Sequence, residues 1–498
     1  VTYALLFSVF IVASCGLVYE LIAGALASYL LGDSVAQFSI IIGTYLFAMG
    51  VGSFLSRYIL AGLVQRFVQI ELLVGLLGGF SAAALFLCNA FLSHFRLALY
   101  LIVFLIGVLV GLEIPLITRV LEKRFQFKDL IAQVLSFDYL GALLVSILFP
   151  LFLAPRLGLI RTALVFGLLN VLVAWCTAWL FRRSLNQFSW LRAQCLLAAS
   201  MLLSGLFYAE NITALSEEML YEDSIIYTKS TRFQRMVLTR WQDDFRLYLN
   251  GHLQFSSRDE YRYHEALVHP GMQSVVHPRR VLVLGGGDGL AVREILRYPS
   301  VESIVLVDLD AGMTKLFMEH SLAVRLNEGS LKSPKLKIVN ADAFLWLEEN
   351  RDFFDFVVVD LPDPTNYSLG KLYTSAFYRL LAKHLSEHGA AVIQSTSPLY
   401  ARRSFWCVVK TLQSTGLQVT PYHAYVPSFG EWGYVLMTHQ PFELAGRYVD
   451  GLKFISPQTA AGLFVFPEDM QTVDTEINRL DNQVLVRYHE ADWHRVLP

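Results

Sequence analysis

Charge is scarce in this sequence: charged residues make up 16% of 498, and the formal net charge at pH 7 is −2. The lysine and arginine excess that marks a nucleic-acid surface is missing, so no nucleic-acid partner is expected. Cysteine is scarce too. Cys15, Cys88, Cys176 and Cys195 lie in apolar segments and only Cys407 lies beyond them. They show neither metal-ligand spacing nor a disulfide framework, and no metal site is expected. A signal-peptide cleavage site is also lacking, and the first apolar run is too long for a signal-peptide core. It reads as a membrane span.

Apolar side chains fill the place of charge. They make up 55% of the chain, and the mean hydropathy is +0.47, both beyond the soluble norm. A chain of this length is expected to hold at least two domains. The apolar excess is confined to residues 1–210, which read as a transmembrane helical domain. About seven runs there approach the ~20 residues a helix needs to cross a bilayer. They fall at roughly 3–31, 36–60, 68–91, 96–118, 130–154, 158–181 and 190–209. The expected class is a multi-pass cell-membrane protein with the lipid bilayer as a partner. Gly75-xxx-Gly79 and Gly107-xxx-Gly111 have the spacing of close helix packing. Glu20, Glu113 and Asp138 fall inside spans, where ionisable groups either pair within the bundle or mark a pathway.

The second half is mixed in composition. Residues 211–224 are polar and acidic and read as a linker. Residues 225–258 carry short alternating runs, such as Phe245-Arg-Leu-Tyr-Leu249, and the hairpin dipeptide Asn250-Gly251. They read as a small antiparallel β subdomain. From 259 to 440, strand patterns at Leu336–Val339, Phe356–Asp360, Ala390–Gln394 and Leu417–Tyr425 alternate with helical ones. That alternation predicts an α/β domain with a mainly parallel, doubly wound sheet. Residues 441–498 are left as a C-terminal extension.

This domain is organised around Val281-Leu-Val-Leu-Gly-Gly-Gly-Asp-Gly289 and the helical pattern Ala291–Arg297. Strand, glycine turn and helix let a nucleoside-type ligand approach the backbone. The next strand pattern, Ile304–Asp308, ends in an acid where a carboxylate commonly binds ribose hydroxyls. Asp288 opposes a phosphate in the loop and so disfavours a dinucleotide. It suits a sulfonium nucleoside with an ammonium tail, as in decarboxylated S-adenosylmethionine; its plain alternative is a helix cap. Asp288, Asp308, Asp342 and Asp360 all follow strand patterns, so the fold gathers them along one edge. With Asp363 they form an acidic pocket suited to adenosine hydroxyls and amines.

Over most of 225–440 these residues resemble the spermidine synthase (polyamine aminopropyltransferase) family, in the bacterial form with an N-terminal multi-span domain. The glycine-loop stretch is similar to its signature, and Arg258-Asp-Glu-Tyr-Arg-Tyr-His-Glu265 and Asp360-Leu-Pro-Asp-Pro364 to two further motifs. The resemblance implies a Rossmann-like fold and aminopropyl transfer from decarboxylated S-adenosylmethionine to a polyamine, putrescine giving spermidine, with release of methylthioadenosine. It implies Asp360 as the general base, and Asp288 at the aminopropyl ammonium. Asp308 is assigned to the ribose, Gln234 to the nucleoside, Asp342 with Ala343 to the adenine, and Gln394 to the donor tail. Tyr263, His264 and Asp363 line the acceptor's path. The expected small-molecule partners are a polyamine and a sulfonium nucleoside, no metal is required, and a homodimer is among the assemblies to be expected.

Departures from the family pattern begin with Leu290, which replaces a glycine beside the donor, and Asp308, which replaces a glutamate and still suits a diol. The others cluster where the acceptor enters, with Thr365–Gly370 in place of a Gly-Pro. The acceptor-side loop is read at Val426–Gly433, with Glu431 and Trp432 offering a carboxylate and an aromatic wall. Two other functions compete: an S-adenosylmethionine-dependent methyltransferase, which Asp288 opposes, and a non-catalytic polyamine transporter or sensor, which the intramembrane acids favour. Sidedness is contested as well. Basic residues follow the second run (Arg57, Arg66), the fourth (Arg119, Lys123, Arg124, Lys128) and the sixth (Arg182, Arg183, Arg192). By the positive-inside rule seven spans then leave the catalytic domain outside. A donor made in the cytoplasm argues the reverse, and the catalytic domain is expected to be cytoplasmic.

Overall fold

The computed structural model describes residues 2–31, 34–91, 94–122, 127–185, 187–212, 221, 223–231, 233–444 and 446–493. Lys123, Arg124 and most of the expected linker (213–220 and 222) lie outside the described residues. The chain divides into two compact units, Val1–Ile225 and Ile226–Pro498.

The first unit is helical: α1 (Thr2–Leu31), α2 (Ser34–Leu55), α3 (Leu63–Phe91), α4 (Phe95–Leu121), α5 (Phe127–Leu148), α6 (Ala154–Leu180) and α7 (Phe188–Phe207). A helix satisfies its own backbone, which lipid cannot do for it. Among the described residues six stretches are long and apolar enough to cross a membrane. The fifth, Leu130–Leu180, runs for 51 residues through α5 and α6. At ~1.5 Å per residue that is more than twice a ~30 Å hydrocarbon core. It is broken by a π-helical turn at Phe149–Leu153 and by Gly158, whose φ of 75° and ψ of 170° are not helical. Pro150, which lacks an N–H, lies in that turn. The seven expected runs are thus seven helices in six stretches.

Glycines set the helix spacing. A Cβ on Gly75 would lie 2.9 Å from the Gly167 carbonyl oxygen, and one on Gly111 would overlap the backbone at Met49. Of the acids expected inside spans, Glu113 is 1% exposed, while Glu20 and Asp138 are half-buried. Glu71 was not among those expected, yet it is wholly buried. Its Oε2 accepts from Asn170 Nδ2 (2.9 Å), and Asn170 Oδ1 accepts from Tyr19 (3.1 Å).

The second unit opens on strands β1 (Ser224–Ser230), β2 (Arg235–Trp241), β3 (Asp244–Leu249) and β4 (His252–Ser256), a four-stranded sheet in that order. Asn250 and Gly251 both have positive φ, 51° and 84°, which suits a tight hairpin between β3 and β4. The main sheet holds β5 (Arg280–Gly285), β6 (Ser303–Val307), β7 (Leu336–Val339), β8 (Phe354–Asp360), β9 (Leu385–Gln394), β10 (Gln418–Val426) and β11 (Gly430–Thr438). Their order is β10-β11-β9-β8-β5-β6-β7. β5 to β9 are parallel, and β10 and β11 are antiparallel additions at one edge. This is the Rossmann-like arrangement, with the connection reversing on either side of β5, where ligands bind at the carboxyl ends.

Alternate side chains feed two cores. Val281, Val283, Phe356, Val358, Val392 and Leu436 face one, and Leu282, Leu284, Val357, Val359, Ile393 and Met437 face the other. The helices used below are α8 (Glu260–Gln273), α9 (Leu290–Ile295), α10 (Ala311–Glu319), α11 (Ala343–Glu349), α12 (Arg402–Gln413) and α13 (Val484–Trp493). Val484 and Leu485 of α13 belong to the second core, so the C-terminal segment is built into this unit.

The expected loop at Val426–Gly433 is a correction. Only Pro427, Ser428 and Phe429 form the turn, and Glu431 already pairs with Tyr425 across β10–β11. Pro427 and Ser428 in the turn, with Gly430 at the start of β11, spread the loop signal over the start of a strand.

Candidate active site

The register of the parallel strands aligns their carboxyl ends: Gly285 pairs with Asp360, Leu284 with Val307, and Val307 with Val339. The glycine loop leaves β5 with Gly285 at φ 81°, where a Cβ would overlap the Asp360 carbonyl. The Gly286 amide donates to that same carbonyl (3.0 Å), so the loop and the end of β8 are one construction.

Four carboxylates stand on this edge in different settings. Asp288 is buried, and its Oδ1 accepts the Leu290 amide at the start of α9 (2.9 Å), which makes it the local cap as well. Burial pushes its carboxyl up to about 6, with His264 opposing and Asp360 adding to the rise. Asp308 accepts the Gly287 amide (3.1 Å) and the Asp310 amide (2.8 Å). Burial pushes it to about 6 as well, aided by the Asp310 and Asp288 charges. Asp360 accepts the Tyr263 hydroxyl at 2.7 Å, and burial raises its carboxyl against the pull of His264 and Tyr263. Asp342 is different. It caps α11 through the Phe344 amide (2.9 Å) and pairs with Lys371 Nζ (2.6 Å), which holds its carboxyl low although burial opposes this. Ala343 beside it is buried.

Tyr263 and His264, successive on α8, reach this edge differently. Tyr263 packs against Tyr434 and Phe429, with ring centroids at 5.6 and 6.3 Å. His264 Nδ1 donates to Glu260 Oε2 (2.9 Å), and Glu260 is held by Arg293 through two bonds of 2.9 and 3.0 Å. Burial works against its charge, but Glu260 holds the imidazolium up to about 9, with Asp288 and Asp360 adding to the effect. The Asp288 and Asp360 charges thus act on the same imidazolium that Glu260 holds. Glu260 and Arg293 were missed from sequence because each lies in an ordinary helical pattern.

Gln234 donates from Nε2 to Asp310 Oδ2 (3.0 Å), which ties the small sheet to the cap of α10. Gln394 Nε2 donates to Tyr373 Oη (2.7 Å) and to the Leu361 carbonyl, and its Oε1 accepts from Trp432 Nε1 (3.3 Å). Asp363 accepts from Thr396 Oγ1 (2.8 Å) and from His489 Nε2 (3.2 Å). The structure brings together Asp288, Asp308, Asp360, Tyr263 and His264, and joins Gln394, Asp363 and Trp432 beside them. It does not bring Glu431 there. Neighbours on a strand point to opposite faces, and Glu431 accepts from His423 Nδ1 (2.6 Å), whose Nε2 donates to the Val465 carbonyl (2.8 Å).

Residues 260–445 match the spermine/spermidine synthase domain. A polyamine aminopropyltransferase of Leptospira interrogans is 55% identical over 494 residues, 99% of each chain. The chain belongs to the polyamine aminopropyltransferase family. Polyamine aminopropyltransferase 2 of Ralstonia nicotianae is 56% identical over 502 residues, 99% of this chain and 98% of that one. Among solved structures, a spermidine synthase from Thermotoga maritima is 23% identical and covers 49% of this chain and 85% of that one, with a TM-score of 0.45. As a member of this transferase family the chain is an aminopropyltransferase. Thr396, Tyr373 and His489 were also missed: none carries a local motif, and His489 is 126 residues from Asp363.

Proposed function

We propose that the chain transfers the aminopropyl group of decarboxylated S-adenosylmethionine to putrescine, giving spermidine and methylthioadenosine. The observation that carries this reading is the set of carboxylates at the glycine loop: Asp360 Oδ2 would lie 3.2 Å from a Cβ on Gly286, Asp308 Oδ2 2.6 Å from one on Gly287, and buried Asp288 is the next residue of the loop. A site of that kind favours an ammonium tail and disfavours the α-carboxylate of S-adenosylmethionine itself.

In this reading Asp288 binds the aminopropyl ammonium, Asp308 the ribose hydroxyls, and Gln234 steadies the nucleoside side. Asp342 and Ala343 flank the adenine, and Gln394 supports the donor tail. Tyr263, His264, Asp363 and Trp432 line the amine's approach; Glu431 acts on it only through β11. The unprotonated amine nitrogen attacks the carbon next to sulfur. A C–N bond forms as the C–S bond breaks, and its electron pair stays on sulfur as a neutral thioether. The proton shed by the new ammonium passes to Asp360, whose raised carboxyl makes it a better acceptor. Tyr263, donating to Oδ1, fixes the other oxygen toward the amine. The leaving group is neutral, so the chain's own residues need only orient and accept a proton.

The test is Asp360→Asn, which keeps shape and removes the base. Turnover should fall by about 10²-fold or more while donor binding largely survives. Near-normal turnover would move the base to another carboxylate, with Asp363 next in reach.

The helical unit is proposed to hold the enzyme in the cell membrane with the catalytic unit in the cytoplasm, where the donor is made. Arg119 bonds the Ile59 and Ser56 carbonyls (3.0 and 2.7 Å), so the basic ends of α2 and α4 lie together.

A further inference from the structure

We infer that helix α13 is part of the amine site, with His489 as the positioning residue that fixes the Asp363 carboxylate for the acceptor. The inference rests on the reading of Asp363 as an acceptor-side carboxylate. Asp363 follows β8 on a loop and has no regular element to hold it. Three donors from separate places do so. Thr396 Oγ1 and His489 Nε2 both donate to Oδ2, at 2.8 and 3.2 Å. Oδ1 receives only a long contact from Gln394 Nε2 (3.4 Å), an amide already engaged by Tyr373. Oδ1 is therefore the oxygen left for an ammonium, and the two donors on Oδ2 set its direction. Because Nε2 faces a carboxylate, it carries the proton.

Two features show that this arrangement is built. Thr396 has a φ of 53°, a region that β-branched residues rarely adopt, and its hydroxyl is the one aimed at Asp363. The helix that carries His489 is clamped on several sides. Asp492, 4% exposed, accepts from the Ser404 amide and hydroxyl (3.0 Å each) and from Arg403 Nε (3.2 Å) at the start of α12. A Cβ on Gly370 would lie 2.6 Å from Val486, so only glycine admits α13 this close. Asn478, wholly buried, donates to the Tyr373 carbonyl (3.0 Å), and Tyr373 in turn donates to the carbonyls before Asp363. The synthase domain match ends at residue 445, so α13 reaches the site from outside it. Holding a carboxylate in its binding direction reduces what the amine must order on arrival.

The test uses the full-length enzyme with decarboxylated S-adenosylmethionine and putrescine, and compares His489→Leu, which fills the space without a donor, with His489→Gln, which keeps one. For His489→Leu the putrescine KM should rise ~10-fold or more, the scale of a hydrogen bond to a charged group. It should rise by more than kcat falls, with the donor KM and the thermal midpoint near wild type. His489→Gln should recover most of the loss. Unchanged putrescine KM in the leucine variant would overturn the inference. So would equal loss in both variants with a lowered midpoint, which is the signature of packing alone. Asp363→Asn is run beside them. If it raises the putrescine KM and His489→Leu does not, only the role of His489 fails; if it changes nothing, the reading of Asp363 has failed and takes the inference with it.

Discussion

Asp288 is held in conflict with its surroundings. Its carboxyl stands at about 6 and that of Asp308 at about 6, both above the 3.8 of an unperturbed aspartate, so the fold favours their protonated forms. The sign for stability follows: this contribution is fully present below about pH 4 and is lost as pH rises through about 6. With the proposed roles of Asp288 and Asp308, binding runs the other way, since an ammonium and ribose hydroxyls need the ionised forms. The donor KM is expected to rise as pH falls below about 6. Asp288→Asn cannot ionise and keeps an oxygen for the Leu290 amide. At pH 7.5 the free variant should melt a few degrees (roughly 2–4 °C) above wild type, and at pH 5 the gap should close. Its donor affinity should fall at the higher pH. Thermal unfolding and donor titration at both values check this, and a variant less stable than wild type at pH 7.5 would contradict it.

Among elements, β11 sets how the proposed acceptor side is assembled. Gly433 donates to the Thr396 carbonyl (2.7 Å) and accepts the Ser395 amide (2.9 Å), and a Cβ there would strike the Phe405 ring. Gly433→Ala should destabilise by about 1–3 kcal/mol through overpacking and shift Thr396. Thermal unfolding together with the putrescine KM would show it; a neutral result in both would mean that β11 gives way freely. The same strand marks the limit of sequence reading. Strands β5, β6 and β8 were legible as largely apolar, buried runs inside the sheet, with Asp308 directly after β6 and Asp360 closing β8. The edge strand β7 is only partly buried and carries the exposed Lys337, and was legible from its place in the strand and helix alternation. β11 was not, because a Gly-Glu-Trp-Gly start looks like the turn before it. In the helical unit, the third run was read as starting at residue 68, which left Glu71 near an interface. The helix begins at Leu63, and Glu71 lies two turns in. Of the site, the carboxylates were legible from their places after strands. His264's support by Glu260 and Arg293 was not, because only the fold brings α8 and α9 together.

For the molecule as a whole, the proposed placement of the catalytic unit on the cytoplasmic side of the cell membrane is the quantity to test. The basic ends of α2 and α4 argue one way and donor supply the other. Val276 is 87% exposed on the catalytic unit, so Val276→Cys in a background without the native cysteines gives a direct reporter. It should resist a membrane-impermeant thiol reagent in intact cells and react after permeabilisation. Labelling in intact cells would place the catalytic unit outside and make the helical unit a conduit for the donor. The proposed chemistry is checked by mass spectrometry of the products when full-length enzyme receives putrescine with either decarboxylated or ordinary S-adenosylmethionine. Spermidine and methylthioadenosine are expected from the decarboxylated donor, with no transfer from the ordinary one; a methylated amine, or no product from the decarboxylated donor with any amine offered, would overturn the proposed function.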